Sequence, residues 1–591
     1  MRRLILIALL VAFVAPLTLY AQQADPYGGV TSVRCPNGPA PHFYTEKIGD
    51  RWWLCDPAGN GFFMKGVAAI NYNMDPEQLA VNENKYISGP TANWTLNWDL
   101  EMLHRLLAWG FNTIADDSYD GLKPWSTDVR WGGDSTIPVK LPYTSGLNMS
   151  RYVFTDTDGC GVASTTKDMI NGVGAAYTAY RYDYGDYFDP TFSSCVGNIV
   201  QASGIRTTLR APHNDYYLYL TIDESDQTGG LFAPGPDFPA LPSVSLSGNA
   251  AWITLVTAPT QTSNSTWGVT YSDTTVYTKH EFSNFIAARY GNSVASLNAA
   301  WGSKYTSFGS AGGWGVGTGL LDENGLCPSR GTSACWLGDA VTLAGETTAM
   351  QADLSAFYTH YLDRYLSVLK TEYQNPTYGV PGVMLEMGLG GFSTPPRREV
   401  LTEAAKYLDL ALMPGVPPPP WACAPAAGGV CTDSQQRIDF TAQYLGDRPW
   451  INWEGVNANP DSAESAYPST WSPYTTQAQR GAGYQGMVSE SVNAKSTVTG
   501  SYPVVGFFWW GAFDQDGEKL NWGLLTPHDN PYDGKSALIA AGIDQWSYRT
   551  GGERRNYGDF ISAVKAANGS AIAAMQAQAP GGSVARKQSS K

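Results

Sequence analysis

Short apolar segments alternate with helical stretches over most of this chain. Eight of them span residues 61–70, 111–117, 137–143, 216–224, 383–387, 407–413, 450–454 and 504–510. Apolar runs of this length with turn signals behind them predict buried strands. The clearest helix between them covers 98–109, ends at Gly110 and leads directly into the next strand. Strand, helix and strand in this order predict a parallel sheet, and eight such strands predict an α/β fold, a (β/α)8 TIM barrel.

The barrel accounts for only part of the 591 residues. A small N-terminal β-hairpin region is expected before it, and a long insertion after its fourth strand. The low-complexity end, 566–591, is expected to be disordered. The predicted division is a signal peptide at 1–21, an N-terminal loop and β-hairpin at 22–60, the barrel at 61–550 with its insertion at 229–346, and a C-terminal helix and disordered tail at 551–591.

The first residues predict export. Two arginines precede a short apolar run, and a small residue, Ala21, stands at the expected cleavage position. The eight cysteines fall into four sequential pairs, and an even number in an exported chain suggests disulfides. We expect nearest-neighbour pairing, although eight cysteines allow about 105 arrangements. The expected pairs are Cys35–Cys55, Cys160–Cys195, Cys327–Cys335 and Cys423–Cys431.

Charge and composition narrow the choice of partners. The net charge is −15 and no lysine or arginine run exceeds a pair, which argues against nucleic acid and against an anionic membrane surface as partners. Aromatic residues make up 13% of the chain, with 20 tryptophans and 34 tyrosines. Such rings serve either as core material or as platforms for the apolar faces of sugars.

Carboxylates and tryptophans recur where the predicted strands end. In a barrel, the C-terminal strand ends converge on one face, where active sites lie. Cleavage of a glycosidic bond requires two carboxyl groups there, one ionised and one protonated. The residues that this arrangement brings together are Asp116, Asp117, Asp223, Glu224, Glu386, Glu454, Trp509 and Trp510.

Each of these residues also has a structural interpretation. Glu454 could simply reach solvent at its strand end, and Asp223 and Glu224 could cap a helix. Glu386 is the best replacement acid or a substrate contact, whereas Asp116 and Asp117 could be solvated. Because Trp509 and Trp510 are neighbours on a strand, one should face the barrel and the other the helices.

Other chemistries find little support in the sequence. There are six histidines, with no spacing suited to zinc, and no Gly-x-Ser-x-Gly motif. Cys335 faintly resembles a cysteine-protease nucleophile, but Cys327 is a close potential disulfide partner.

Several stretches resemble retaining glycoside hydrolases of the (β/α)8-barrel clan A, most closely the β-agarase and β-galactosidase types. The order of these stretches carries the resemblance more than any one of them. They are Arg51-Trp-Trp-Leu-Cys-Asp-Pro-Ala-Gly-Asn-Gly-Phe-Phe-Met-Lys-Gly-Val67, Trp109-Gly-Phe-Asn-Thr113, Tyr187-Phe-Asp-Pro-Thr-Phe192, 401–409 and Gly506-Phe-Phe-Trp-Trp-Gly-Ala-Phe-Asp514.

The resemblance implies roles for individual residues. Glu224 matches the acid/base at the end of strand four, with Asp223 where the clan has Asn. Glu454 matches the nucleophile at the end of strand seven, and Trp509 matches the aromatic residue of strand eight. The expected substrate contacts are Asp116, Asp223, Glu386, Trp509 and Trp510. The implied function is hydrolysis of β-linked oligo- or polysaccharides without a cofactor. A non-catalytic carbohydrate-binding protein on a degenerate barrel and a transglycosylase are the alternatives.

Overall fold

The structure is a computed structural model that describes most of the chain. The predicted signal peptide lies outside the described residues, as do 579–591 of the predicted tail. The residues described are 25–73, 76–87, 92–123, 140–149, 186–209, 214–224, 256, 261–262, 274–323, 347–389, 396–414, 434–455, 474–514, 522–526 and 558–578.

A small antiparallel sheet comes first. Its strands are β1 (Val30–Arg34), β2 (Tyr44–Ile48), β3 (Arg51–Cys55) and β4 (Asn60–Phe62), in the order β1-β4-β3-β2. The predicted Cys35–Cys55 disulfide is present. Cys195 is also disulfide-bonded, but Cys160, Cys327, Cys335, Cys423 and Cys431 lie outside the described residues.

This sheet packs against the N-terminal end of the barrel. Leu54 and Phe62 from the sheet, with Phe43 before it, are buried in one apolar cluster with residues at the beginnings of barrel strands, such as Met64 and Leu218. The sheet therefore covers the end of the barrel opposite the predicted site.

A buried acidic pair stabilises the sheet in a pH-dependent way. Burial, followed by a hydrogen bond with Asp25, raises the pKa of Asp56 to about 8. Because this pKa is above the value in an unfolded chain, the stabilisation is complete at low pH and is lost as the pH rises through about 8. We expect Asp56→Asn to remove this loss, making the variant more stable than wild type above pH 8 by ~1–3 kcal/mol.

Thermal unfolding followed by circular dichroism between pH 5 and 9 measures this effect. Asp50→Asn is the control, because Asp50 is exposed and pairs with Lys495. An Asp56→Asn variant whose stability declines with pH as steeply as that of wild type would contradict the prediction.

All eight predicted barrel strands are present and run parallel. They form a closed barrel in chain order, in which the eighth strand pairs with the first. The two-stranded hairpin β9 (Gln261–Thr262) and β10 (Thr274–Thr275) lies outside the barrel, in the insertion. The barrel strands are β5 (Met64–Val67), β6 (Thr113–Ile114), β7 (Tyr143–Gly146), β8 (Tyr217–Glu224), β11 (Leu385–Gly388), β12 (Leu410–Pro414), β13 (Trp450–Gly455) and β14 (Val504–Trp509).

One predicted strand is displaced along the chain. The third barrel strand was expected at 137–143, but β7 begins only at Tyr143. Pro142, just before it, has no N–H to donate to a strand ladder. Its carbonyl still accepts a hydrogen bond from Ile114, at 2.9 Å.

The helix predicted at 98–109 is present within a few residues of those bounds, and it is one of the helices that surround the barrel. They are α1 (Pro76–Tyr86), α2 (Trp94–Ala108), α3 (Phe192–Ala202), α4 (Ile205–Leu209), α5 (Tyr277–Arg289), α6 (Val294–Trp301), α7 (Thr348–Tyr373), α8 (Arg398–Tyr407), α9 (Ser434–Leu445), α10 (Gln477–Asn493) and α11 (Gly558–Gln578). Among the helices described, none is both long enough and apolar enough to span a membrane.

Helix α11 corrects the prediction that the chain is disordered from residue 566. Phe560, Val564, Ala571 and Met575 are buried at helical spacing. Asn568 joins the helix to the barrel, because its side-chain N–H donates to the Trp109 carbonyl at 2.9 Å and its side-chain oxygen accepts from the Tyr484 hydroxyl at 2.8 Å.

Candidate active site

The fourth barrel strand contains a β-bulge next to the predicted acid/base. Glu386 of β11 pairs with Thr221 of β8, and Gly388 pairs with Glu224. From Thr221 to Glu224 the chain advances three residues along β8, whereas the paired segment of β11 advances two. Ile222 and Asp223 therefore both lie opposite one residue of β11. A bulge of this kind redirects the residues that follow it. After the bulge the pairing resumes, with residue 224 opposite Gly388 as Thr221 is opposite Glu386.

The bulge explains an error in the sequence prediction. Asp223 was expected to contact substrate, but it is fully buried and accepts a hydrogen bond from the Tyr365 hydroxyl. Tyr365 belongs to α7, outside the barrel. The carboxylate of Asp223 therefore faces the surrounding helices. Burial, followed by the charge of Asp223 and this hydrogen bond, raises the pKa of Tyr365.

The seventh strand has a similar irregularity at the predicted nucleophile. Asn452 of β13 pairs with Phe507 and Gly455 with Trp509, so three steps match two on β14. The side chain of Asn452 points outward, since its Nδ2 donates to Ser491 Oγ of α10 at 2.7 Å. Glu454 lies in the two-residue bulge that follows. Both predicted catalytic positions thus stand at bulged C-terminal strand ends.

The two neighbouring tryptophans face opposite sides of the wall, as predicted, but the expectation that Trp509 lines the site is wrong. Trp509 is fully buried, its ring lies 5.3 Å from Tyr484 of α10 and 5.6 Å from Phe560 of α11, and its Nε1 donates to the Trp522 carbonyl. Trp510 is partly exposed and packs against the inner cluster of the barrel. Trp510 is therefore the tryptophan of this pair on the barrel side.

Buried polar side chains from adjacent strands form a floor network below the strand ends. Thr144 Oγ1 lies 2.5 Å from Asp116 Oδ1, and Thr221 Oγ1 lies 3.1 Å from Asp116 Oδ2 and 2.7 Å from Glu386 Oε2. The backbone N–H of Leu412 donates to Glu386 Oε1 at 3.1 Å. Burial raises the pKa of Asp116 to about 6, against the lowering effect of its hydrogen bond with Thr144.

The floor network gives Glu386 fixed partners. Its side chain is fully buried and accepts hydrogen bonds from the Thr221 hydroxyl and the Leu412 N–H, and its role as a substrate contact or replacement acid stays a prediction. Thr144 and Thr221 were not singled out in the sequence. For Thr221, the signal was a hydroxyl at an inward position of an otherwise apolar strand.

A polar cavity of about 460 Å³ opens beside this floor, at the C-terminal ends of β5, β6 and β7. Asp116 forms part of its wall and is 4% exposed. Asp120 and Lys123, also in the wall, form an ion pair at 3.1 Å. The other lining residues are Asn71, Asp117, Ser118, Tyr119, Ser145, Gly146 and Asn148.

Left-handed backbone conformations occur at Asp117, in the cavity wall, and at Ala69, whose N–H donates to the Asp116 carbonyl. Ala69 has φ +50° and Asp117 has φ +57°, and Asn71 Nδ2 donates to the Asp117 carbonyl at 2.7 Å. Such conformations are uncommon outside glycine and concentrate at functional sites.

The described residues offer one group of three potential metal ligands: Cys35, Glu46 and Cys55. The two sulfurs of that group are joined in the disulfide. The carboxylates around the described cavity are therefore not gathered into such a group.

The fold is similar to those of several solved structures. An exo-β-agarase is 17% identical with a TM-score of 0.59, over 94% of this chain and 68% of its own. The protein PfGH50B is 17% identical with a TM-score of 0.57, over 93% and 68%. The agarase AgWH50C is 16% identical with a TM-score of 0.57, over the same shares.

No family model and no curated protein matches the sequence. The agreement with the solved structures nevertheless extends over nearly the whole chain. The chain therefore shares the (β/α)8-barrel fold of these solved structures.

Proposed function

We propose that this protein is a retaining glycoside hydrolase that cleaves β-linked oligo- or polysaccharides. Glu224 is the acid/base and Glu454 the nucleophile. The observation that carries the proposal is the placement of both residues at bulged C-terminal ends of strands four and seven of a closed barrel. Sites of barrel enzymes lie at this end, and bulges often adjoin active sites.

The surroundings of the two positions suit a sugar. The cavity beside β8 is lined by hydroxyl, amide and carboxyl groups, which can hydrogen-bond the hydroxyls of a pyranose. Trp510, on the barrel side of the last strand, offers a ring for the apolar face of a sugar. We place the substrate across the barrel end between these two features.

The proposed chemistry has two displacements. Glu454 attacks the anomeric carbon, and the bond to the leaving oxygen breaks as Glu224 gives that oxygen its proton. Water then attacks the anomeric carbon, gives a proton to Glu224 and displaces Glu454. Two inversions return the original configuration. A retaining enzyme of this kind holds its two carboxyl groups about 5–5.5 Å apart.

The fold of the agarases guides the choice of the first substrates. A panel of β-linked galactans, including agarose, with glucans and xylans beside them, should yield new reducing ends from at least one member. Proton NMR at early times should show the product anomer with the configuration of the substrate. If no polysaccharide on the panel is cleaved, the proposal is overturned. The inverted anomer would instead refute the assignment of a covalent intermediate.

The two tryptophans give a matched test of the substrate path. Trp510→Ala removes the proposed platform, so we expect kcat/KM on an oligosaccharide to fall about 10-fold or more, with little change in melting temperature. Trp509→Ala leaves a cavity between β14 and helices α10 and α11, so we expect it to lower the melting temperature. Steady-state kinetics and thermal unfolding of both variants check this. Equal kinetics for Trp510→Ala and wild type would exclude the platform.

We also propose that the protein works in an exported, oxidising compartment. The Cys35–Cys55 disulfide supports this, because disulfides persist mainly outside the reducing cytosol.

A further inference from the structure

The floor network contains more hydrogen-bond contacts than its hydroxyl protons can supply. Thr221 Oγ1 is within hydrogen-bond distance of a carboxyl oxygen of Asp116 and of one of Glu386. A hydroxyl has one proton to donate. If both carboxyls were ionised, the Thr221 oxygen would contact one carboxylate oxygen with no proton between them, and the lone pairs of the two buried oxygens would repel each other. One of the two carboxyls must therefore carry a proton.

The surroundings assign that proton to Asp116. Glu386 accepts from the Leu412 N–H at one oxygen and has the shorter contact with Thr221, 2.7 Å, at the other. Two donors favour its ionised form. Asp116 has one other donor, the Thr144 hydroxyl at 2.5 Å from Oδ1, and the contact of its Oδ2 with Thr221 is longer, at 3.1 Å. The proton then lies on Asp116 Oδ2, which donates to Thr221, and Thr221 donates to Glu386.

The same groups connect five of the eight strands below the site. Thr144 belongs to β7, Asp116 follows β6, and Thr221 belongs to β8. Glu386 belongs to β11, and its partner Leu412 to β12. All of these side chains are at most 4% exposed. Thr221 stands just before the bulge that precedes Glu224, and its carbonyl accepts a further hydrogen bond from the Leu147 N–H at 2.9 Å.

We propose that Asp116, Thr221 and Glu386 share one proton and act as positioning residues for Glu224. The positioning role rests on the proposed function, whereas the shared proton does not. Loss of the proton leaves two buried carboxylates facing one hydroxyl, which weakens the link between β6, β8 and β11 where the bulge of β8 begins.

The charged and titratable groups around the network act on it from several sides. Asp117, next along the chain, favours the protonated form of Asp116, while Lys123 opposes it. Tyr217, earlier on β8, has its own pKa raised by burial and also by the charge of Asp116. Glu224 and Glu454 stand at the strand ends above the network, and Asp223 faces the opposite side of the wall with Tyr365.

The shared proton can be tested without any substrate. The raised pKa of Asp116 means that its stabilisation is complete at low pH and is lost as the pH rises through about 6. In Asp116→Asn the amide donates to Thr221 at every pH. We therefore expect the melting temperature of wild type, but not of this variant, to show a decline that begins near pH 4 and is complete just above pH 6. Identical pH dependence in the two proteins would overturn the shared proton.

Thr221 provides a second test, which does not depend on the folding of Asp116→Asn. Valine keeps the shape of threonine without the hydroxyl, and serine keeps the hydroxyl. We expect Thr221→Ser to retain the decline between about pH 4 and pH 6, and Thr221→Val to displace it, because the hydroxyl that links the two carboxyls is gone. An unchanged pH dependence in Thr221→Val would also overturn the shared proton.

The positioning role is tested by kinetics on a polysaccharide that the wild type cleaves. We expect Thr221→Val to lower kcat about 10- to 100-fold with little change in KM and with a displaced pH profile, and Thr221→Ser to recover most of the activity. A loss of stability alone, with kcat and pH profile unchanged, would overturn the positioning role. If wild type cleaves nothing, the proposed function fails and the unfolding experiments still decide the shared proton.

Discussion

Glu454→Gln is expected to abolish hydrolysis of every glycan that the wild type cleaves, with kcat reduced on the order of 10⁴-fold or more. The amide has nearly the shape of the carboxylate but cannot form the covalent bond to the anomeric carbon. Binding should persist, because the substrate contacts proposed for the cavity and Trp510 are unaffected. Reducing-end assays and isothermal titration calorimetry with the same oligosaccharide measure the two properties.

The variant also separates an enzyme from a protein that only binds carbohydrate. Glu101→Gln is the matched control, since Glu101 is an exposed glutamate of α2 that pairs with Arg105. If wild type, Glu454→Gln and Glu101→Gln all bind an oligosaccharide equally and none cleaves it, the protein is a binding module. If Glu454→Gln still cleaves at the rate of wild type, the nucleophile lies elsewhere.

The barrel was predictable because its strands carry a strong local signal. A strand such as β8, with the sequence Tyr-Leu-Tyr-Leu-Thr-Ile-Asp-Glu, is apolar nearly throughout, as a strand covered on both faces should be. Glycines such as Gly110, with φ +80°, end helices directly before strands. These features depend on residues close together in the sequence. The two carboxylate-bearing strand ends follow from counting the strands.

The side of the barrel wall on which an individual side chain lies could not be predicted in the same way. Alternation along a strand predicts that side for each residue only if the strand is regular. The bulge at Ile222 and Asp223 changes the phase of β8, and it arises from pairing with β11, more than 160 positions later. Asp223, at the position where the clan has Asn, therefore faces a helix. The choice of Trp509 over Trp510 rested on the resemblance alone.

A C-terminal helix was predicted, but its continuation past residue 566 was missed for a different reason. Its sequence is rich in alanine with glutamine, serine and glycine, a composition that also suits disordered segments. Alanine is the best helix former, and the large apolar residues from Phe560 to Met575 recur at helical spacing. Periodicity was the better guide here than composition. The floor network was missed because its members come from five strands and only the closed barrel brings them together.

Glu224→Gln is expected to lower activity by an amount that depends on the leaving group. For a polysaccharide, whose leaving sugar must be protonated, we expect kcat/KM to fall about 10²- to 10⁴-fold. For an aryl glycoside with a strongly acidic phenol, bond cleavage needs no proton, so formation of the covalent intermediate should remain fast. The intermediate should then accumulate, because no base activates the water, and a burst of phenol should precede a slow steady state.

An added nucleophile completes this argument. Azide needs no general base, so it should restore turnover of the aryl glycoside by Glu224→Gln and yield a glycosyl azide of retained configuration. The alkaline limb of the wild-type pH profile should also disappear in the variant, since that limb reports loss of the acid's proton. Stopped-flow absorbance, product NMR and pH profiles measure these outcomes. An equal loss on all leaving groups, without rescue by azide, would remove Glu224 from the acid/base role and leave Glu454 without its proposed partner.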